Sequence, residues 1–423
     1  MQKRGSHMQK LRWLVLALLA IAALAAAGCG GDDDDGGGGG GKASGEPIKI
    51  GASLPLTGEF SEPGKAAKQG YEVWQAMVND SGGLIDGRPV KMVIKDDQSN
   101  QNTIVADYNA LISRDKVDLL LGTFSSLLNL PASSVAERNR MLYVEPAGGA
   151  PELFDRDFRM LFFAQQATAD KQGEVWANYI KDLPADQRPK TAAYPTLDDP
   201  FAQPTSEGIE KIFKAAGIKT VYRETYTIDN PNLDGIASAL KARKPDVVVN
   251  GATFEDGVGM VRALRKAGFT PKIFYQTTAP SLGDQYAKAI GKGTTEGIFY
   301  AVSHSKKAKT PGNPEFVKKY QEMFGGTEVP EDAADAYATA EVLQAAVKGV
   351  GTIDKKRQLE LADWLRDNQV DTILGPLSWD DVGRPEGEFL VGQWQSGVPE
   401  IVLPKEAATS DKIIPGWQPE GAG

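Results

Sequence analysis

Short apolar runs alternate with helix-length segments along most of the chain, and this alternation restricts the fold more than any other feature. Leu119 to Leu121 form one such run, which is typical of a strand buried on both faces. A helix-length segment follows it, and Met141 to Val144 form the next run. Strands that alternate with helices in this way build parallel sheets with helices on both faces. We therefore predict an α/β protein.

A weak internal repeat divides the chain into two halves. The segment from Asp118 to Phe124 reads DLLLGTF, and the segment from Asp246 to Phe254 reads DVVVNGATF. Such self-similarity indicates that one supersecondary unit occurs twice. The 423 residues are also more than one domain of ordinary size needs. We expect two similar lobes whose strand ends face each other across a cleft.

Small polar and glycine-rich loops follow two neighbouring predicted strands. The first strand is followed by TFSS and the second by EPAGGAP. In open parallel sheets, ligands bind outside the carboxyl ends of the strands. The hydroxyls of Ser125 and Ser126, with backbone N–H groups near Gly148 and Gly149, would suit a carboxylate or another anion. Ordinary strand–helix turns with an N-cap serine have the same composition, so the residues alone leave both interpretations open.

The N-terminal residues predict export and anchoring. Lys10 and Arg12 precede an apolar run of residues 13–27, which is shorter than the roughly 20 residues that span a bilayer. The run is typical of a signal-peptide core, and the AAGC sequence that ends at Cys29 resembles a bacterial lipobox. That resemblance implies lipidation of Cys29. The alternative is a cytoplasmic protein with an apolar N-terminal helix. The glycine and aspartate run that follows predicts a disordered tether.

Signals for catalysis and for metal or nucleic-acid binding are weak. The chain has no Gly-x-Ser-x-Gly, Walker-type, His-Glu-x-x-His or Cys-x-x-Cys motif. The net charge of −9 argues against a nucleic-acid partner. The acidic pairs at 96–97, 198–199 and 380–381 are more typical of turns and helix caps than of paired catalytic carboxylates. We predict a protein that is not an enzyme, with no cofactor and no metal site.

His304 is the only histidine outside the first seven residues, where His7 lies in a GSHM sequence that resembles an expression-vector scar. Lys306 and Lys307 follow it closely, so we expect His304 to lie at the surface.

The order and spacing of several short motifs resemble a known family. From Pro47 to Leu403, the chain resembles the branched-chain amino-acid binding proteins, which are type I periplasmic solute-binding proteins of ABC importers. The motifs that carry the resemblance are IKIG at 48–51, LPLTG at 54–58, NDSGGLIDGR at 79–88, DD at 96–97, the two loops described above, and LGPLSWD at 374–380.

The resemblance implies the periplasmic binding protein type I fold. In this fold two Rossmann-like lobes with parallel sheets are joined by a three-crossover hinge, here expected near Ala167, Gly297 and Leu377. The expected organisation is a signal peptide with lipobox at 1–29, a disordered tether at 30–46, lobe 1 at 47–167 and 297–376, and lobe 2 at 168–296 and 377–423.

The resemblance also implies a ligand site between the lobes. In amino-acid-binding relatives a carboxylate from the second lobe holds the ligand ammonium, and this position falls on Thr277 or Thr278 here. The carboxylate-binding half of the site therefore looks kept and the amine-binding half looks lost, unless Asp199 or Glu255 reaches the ammonium. Each phenylalanine of the set could belong to a lobe core instead. The expected ligand-binding residues are Phe60, Phe124, Ser125, Ser126, Ala147, Gly148, Gly149, Phe201, Thr253, Phe254, Thr277 and Thr278.

The function implied by the resemblance is capture and delivery of a small organic ligand. The protein would be extracytoplasmic, anchored to the bacterial cell membrane through a lipid on Cys29, with an ABC permease as its partner. The ligand would be an amino acid or a related carboxylate, and the lost amine site favours an aromatic acid without an amino group. A ligand-sensing receptor of the same fold, coupled to signalling, is the alternative.

Overall fold

The structure is a computed structural model that describes residues 43–229 and 231–420. The predicted signal peptide, Cys29 and most of the predicted tether lie outside these ranges. Within them, no helix combines the length and the apolar composition that a membrane span requires. The strands are β1 (Ile48–Leu54), β2 (Val90–Asp96), β3 (Leu119–Leu121), β4 (Tyr143–Glu145), β5 (Leu161–Phe163), β6 (Thr191–Leu197), β7 (Lys219–Tyr226), β8 (Val247–Asn250), β9 (Ile273–Gln276), β10 (Phe299–Val302), β11 (Val370–Thr372), β12 (Gly375–Leu377), β13 (Leu390–Gln395) and β14 (Val398–Leu403). The helices are α1 (Ser61–Asp80), α2 (Gln101–Ser113), α3 (Ser126–Arg138), α4 (Ala169–Gln172), α5 (Glu174–Lys181), α6 (Ala202–Ala215), α7 (Leu233–Arg243), α8 (Phe254–Ala267), α9 (Asp284–Ile290), α10 (Asn313–Phe324), α11 (Glu331–Val350) and α12 (Gln358–Asp367).

The first lobe is built on a five-stranded parallel sheet with the strand order β2-β1-β3-β4-β5. Adjacent side chains of β3 point to opposite faces of this sheet. Leu119 and Leu121 pack in the core formed with α1 and α11, while Leu120 packs in the core formed with α2 and α3. Both faces of β3 are therefore covered, as the continuous apolar run predicted.

The second lobe is built on a seven-stranded sheet with the order β14-β13-β10-β9-β8-β6-β7. The strands from β6 to β10 pair in parallel, and β13 and β14 extend the sheet in antiparallel pairing. Val248 packs in the core formed with α7 and α8, and Val247 and Val249 pack in the core formed with α5 and α6. Two sheets of this kind confirm the predicted α/β fold with two lobes.

The chain passes between the two sheets three times. The first passage follows β5, and the second follows β10, because Phe299 pairs with Tyr275 of β9 and keeps β10 in the second sheet. The return therefore comes after β10, whereas the sequence placed it near Gly297. Before the third passage, Gly387 donates its backbone N–H to Gln166 O at 2.7 Å, so the segment between β12 and β13 stays beside the first lobe beyond Leu377.

His304 is buried, and the expectation that it lies at the surface is wrong. Only 6% of its surface is exposed, its Nε2 lies 2.8 Å from Asn313 Oδ1, and its ring meets Phe316 edge-on at 5.8 Å. Burial lowers its pKa to about 4. The lysines that suggested exposure turn away from it, since Lys306 Nζ pairs with the Glu328 carboxylate and Lys307 Nζ with the Glu400 carboxylate.

A close contact between α1 and α11 fixes the position of α11 on the first sheet. A Cβ atom built on Gly70 would lie 2.0 Å from Ala333 O and 3.0 Å from Ala336 Cβ. The two helices therefore approach almost to backbone contact, with small residues on both sides. The first two turns of α11 are held against the sheet by this contact.

Substituting Gly70 by Val should destabilise the protein by at least about 2 kcal/mol, because the added side chain forces the two helices apart. Urea unfolding at neutral pH would measure the change in the free energy of unfolding. Ala76→Val on the same helix, where the side chain is half-buried, is the control for the cost of a β-branched residue in a helix. Equal stability of the two variants would contradict this account of the helix contact.

Candidate functional site

A cavity lies between the two lobes, at the carboxyl ends of the parallel strands of both sheets, and together with the open solvent at its mouth it encloses about 500 Å³ free of protein atoms. Loops that follow β3, β4 and β5 line it from the first lobe, together with the start of α11. Loops that follow β6, β8 and β9 line it from the second lobe, together with the end of α4. The lining residues are Phe124, Ser125, Ala147, Phe163, Gln165, Gln172, Asp199, Phe201, Thr253, Thr278, Glu331, Asp332 and Asp335.

Three aromatic rings form the apolar part of the cavity wall. Phe124 and Phe163 come from the first lobe and Phe201 from the second. Phe60 supports Phe124 from behind, with the ring centroids 5.7 Å apart in an edge-on arrangement. The rings offer an apolar surface and can also contact a cation through their faces.

Four carboxylates line the same cavity, and no lysine or arginine is among its lining residues in the described part of the chain. Asp199 lies on the second lobe, two residues beyond β6. Glu331, Asp332 and Asp335 lie in the first two turns of α11 on the first lobe. An excess of buried negative charge without a counter-charge disfavours an anionic ligand and favours a cationic one.

Three of these carboxylates accept hydrogen bonds from the protein. Asp199 Oδ1 accepts from the backbone N–H groups at the start of α6, at 2.8 and 3.0 Å. Ser303 Oγ lies 2.7 Å from Glu331 Oε1 and 2.9 Å from Asp335 Oδ1 and shares its one hydroxyl proton between them, and Gln165 Nε2 donates to Asp335 Oδ2. These bonds hold the carboxylates in place.

Two polar atoms at the cavity lack a hydrogen-bond partner among the described residues. They are Asp332 Oδ2 and Ser125 Oγ, in side chains that are 6% and 4% exposed. Buried polar atoms in native proteins are usually paired, so an unpaired one that lines a cavity indicates a ligand contact.

The carboxylates of the cavity hold their protons unusually tightly. Burial, assisted by the charge of Glu331, raises the pKa of Asp332 to about 8. Burial also raises the pKa of Asp335 well above its usual range and raises the pKa of Asp199 and Glu331. A cation bound beside these groups would favour their ionised forms and lower those pKa values again.

In the loop after β4, backbone N–H groups that the sequence analysis assigned to a ligand anion donate to side chains of the protein instead. Glu145 Oε2 accepts from Ala147 N at 2.9 Å, and Ser126 Oγ accepts from Ala150 N at 3.1 Å. The Glu145 carboxyl is fully buried, and a Cβ atom built on Gly148 would lie 2.5 Å from its Oε1. The protein thus places its own carboxyl group against this loop, which leaves fewer donors for a ligand anion.

The twelve residues expected at the site divide into two equal groups. Six line the cavity, namely Phe124, Ser125, Ala147, Phe201, Thr253 and Thr278. The other six do not line it, namely Phe60, Ser126, Gly148, Gly149, Phe254 and Thr277. Within the second group, Phe254 packs in the second-lobe core, and Thr277 Oγ1 bonds the backbone of Ala252.

The expectation that the amine-binding half is lost stays a prediction. Carboxylates are present at the cavity, but they come from Asp199, which the sequence left as an alternative, and from α11, which the sequence analysis missed. The signal for α11 was available, because Glu331, Asp332 and Asp335 interrupt an alanine-rich helix whose neighbouring positions are buried. Acidic residues on a buried helical face are rarely without a role.

Comparison with known proteins places the chain in a well-populated group. A sequence profile described as periplasmic binding protein matches residues 47–399. An amino-acid-binding protein from Pseudomonas aeruginosa is 25% identical over 348 residues, which are 82% of this chain and 90% of that protein. Leu/Ile/Val-binding protein homolog 7 from Brucella suis is 25% identical over 387 residues, which are 87% of this chain and 94% of that protein.

Solved structures share the fold. A leucine-binding protein from Thermotoga maritima superposes with a TM-score of 0.73 at 20% identity, covering 84% of this chain and 97% of that one. An ABC-transporter solute-binding protein from R. palustris, solved with benzoate, gives a TM-score of 0.73 at 19% identity, covering 87% of this chain and 99% of that one.

The raised pKa of Asp332 predicts a pH dependence of stability in the ligand-free protein. The unfolded chain loses this proton near pH 4, whereas the folded protein keeps it to about pH 8. The free energy of unfolding should therefore fall between these pH values, by up to about 1.4 kcal/mol per pH unit from this group. Glu331 and Asp335 on α11 and Asp199 across the cavity are the charged groups that face it.

Asp332→Asn should make this dependence less steep, because the amide does not ionise. Urea unfolding of the wild type and the variant at pH 5, 6, 7 and 8 would test this. Asp367→Asn, which removes an exposed carboxylate on α12, is the control and should follow the wild type. Parallel curves for wild type and Asp332→Asn would contradict the assigned burial of this charge.

Proposed function

Because this chain belongs to the periplasmic binding protein family, we propose that it captures a small organic ligand with an ammonium group between its lobes, outside the cytoplasm, and delivers it to an ABC importer. The observation that carries this proposal is the composition of the cavity wall, which has three aromatic rings, four carboxylates and no basic side chain among the lining residues. Asp199 is the proposed partner of the ammonium. The Ser125 hydroxyl and the aromatic rings are proposed to contact the rest of the ligand.

The relatives leave more than one ligand class open. They include amino-acid-binding proteins and a solute-binding protein in complex with benzoate. Benzoate is an anion, and the cavity of this chain offers it carboxylates instead of a positive charge. The wall therefore favours the amine-bearing class over the aromatic acid that the sequence favoured.

Ligand binding and lobe closure are linked in this proposal. The lining residues come from both lobes, so a ligand that contacts both walls binds best when the lobes are close together. Differential affinity for the closed state is what shifts such an equilibrium. A permease that recognises the closed arrangement would then receive loaded protein selectively.

A thermal-shift screen of amino acids, amines and aromatic acids would test this function, since a ligand that binds only the folded state raises the melting temperature. We expect hits among compounds with an ammonium group. Asp199→Asn should weaken their binding by about tenfold to a hundredfold, because a charge-assisted hydrogen bond is lost.

The adjacent exposed carboxylate provides a matched control. Asp198→Asn changes the same charge one residue away, outside the cavity, and should leave affinity unchanged. The Asp199→Asn variant retains a side-chain oxygen for the start of α6, so its fold should be preserved. Hits confined to aromatic acids, or equal effects of the two substitutions, would refute the proposed role of Asp199.

Anchoring through Cys29 is a separate part of the proposed function, and it rests on the basic start, the apolar run and the AAGC sequence. A lipid on this cysteine would hold the folded lobes near the permease through the glycine-rich segment. Cys29→Ser should move the protein from the membrane fraction to the soluble extracytoplasmic fraction, as followed by fractionation and immunoblotting. Full retention of an uncleaved variant in membranes would show that the apolar run itself is the anchor.

A further inference from the structure

Asp332 is the cavity carboxylate with an oxygen that has no hydrogen-bond donor among the described residues. Glu331 and Asp335 are bonded by Ser303, and Asp335 also by Gln165. Asp332 Oδ2 has no such donor among the described residues, and only 6% of the residue is exposed. The first turn of α11 tolerates an acid, and Asp332 lines the cavity, but its Oδ2 caps no backbone group among the described residues.

Two of the cavity carboxylates lie on opposite walls. Asp199 belongs to the second lobe and is assigned to one ammonium by the proposed function. Asp332 belongs to the first lobe, on α11. Aromatic rings from both lobes line the space with them, so an apolar chain could pass between the two carboxylates.

The charge around the cleft also favours a cationic ligand. Glu59 of the first lobe has a pKa raised to about 7, by burial and then by the charges of Asp229, Asp256, Asp199 and Glu255 of the second lobe. Negative groups therefore face each other across the cleft as well as inside the cavity. Such a field raises the local concentration of cations and lowers that of anions.

A neutral aliphatic amino acid would leave this charge uncompensated. Its single ammonium is used at Asp199, so Asp332 would gain no counter-charge for its ionised form. The donors expected for its carboxylate are partly used by Glu145 and Ser126. A ligand with a second positive group offsets the charge of Asp332 directly.

We propose that the ligand carries two cationic nitrogens joined by an apolar spacer, one bound at Asp199 and the other at the unpaired oxygen of Asp332. This inference rests on the proposed function and goes beyond it by assigning a second cation subsite. Two sources supply this chemistry, namely basic amino acids and aliphatic diamines. They share the distal amine and differ in the α-carboxylate.

Titration calorimetry on the full chain with matched probe pairs would test the proposal. Lysine is compared with norleucine, which lacks only the terminal ammonium, and each α,ω-diamine from propane to hexane with its monoamine. We expect the dicationic member of at least one pair to bind at least tenfold tighter. A preference in the lysine pair identifies a basic amino acid, and a preference in a diamine pair identifies a ligand without a carboxylate.

Asp332→Asn should abolish the preference by weakening the dication tenfold or more while leaving the monocation unchanged. Asp367→Asn should retain the preference. In the wild type near pH 7, calorimetry in two buffers of different ionisation enthalpy should show more proton release with the dication than with the monocation, because the second ammonium replaces a proton at Asp332 in addition to any that is lost at Asp199. This last measurement does not depend on the folding of any variant.

The outcomes separate the two proposals. Equal affinity within every pair, together with binding that Asp199→Asn weakens, would overturn the second subsite and leave the proposed function standing. A preference for the dication that survives in Asp332→Asn would overturn the assignment to Asp332. Failure of every amine and amino acid to bind would refute the proposed function and this inference with it.

Discussion

Burying a carboxylate without a counter-charge is costly, and the cleft of this protein does so several times in one small space. Four carboxylates line a cavity whose lining includes no lysine or arginine in the described residues. An isolated buried charge usually neutralises itself by taking up a proton, as the raised pKa of Asp332 shows. The architecture around the cavity can be understood as the means of holding these groups together while they have no ligand.

The fold holds them through α11. The contact of this helix with α1 at Gly70 fixes its height on the first sheet, and its carboxylates then reach the segments that connect the lobes. Asp335 bonds Gln165, which follows β5, and Ser303, which follows β10. The first and second passages between the lobes therefore meet the acidic end of α11. A positively charged ligand group bound at the acidic end of α11 therefore lies within the cleft and beside the segments that connect the lobes.

The sequence predicted the parts of this structure that depend on local pattern. The apolar run Leu119 to Leu121 indicated a strand covered on both faces, and the loops with Ser125 and Ala147 lie at the cavity as strand ends in parallel sheets require. Asp380 of the third acidic pair also behaves as a turn residue, since its Oδ1 accepts two backbone N–H groups of its own turn.

The parts that the sequence did not predict depend on distant segments. Most of the second lobe lies between Ser125 and Asp332 in sequence, and only the return of the chain after β10 brings α11 to the cavity. The sequence also did not indicate which of the two adjacent serines lines the cavity. Ser126 Oγ accepts from Ala150 N, whereas Ser125 lines the cavity. For His304, the neighbouring lysines gave the wrong indication because a residue's burial is decided by packing partners such as Phe316 rather than by its neighbours in sequence.

The ligand-free and the ligand-bound protein can satisfy the same carboxylate in different ways. Without a ligand, a proton neutralises Asp332, and the folded state keeps that proton at pH values where the unfolded chain has lost it. With a cation present, the ammonium supplies the positive charge and the proton leaves. The carboxylate is then never both ionised and unpartnered, and the stability that the ligand-free protein loses as the pH rises is the cost of keeping a binding group available. Such trade-offs are expected where a site must remain unsatisfied until its ligand arrives. A purely structural acid would instead be paired within the protein, as Glu331 and Asp335 are by Ser303.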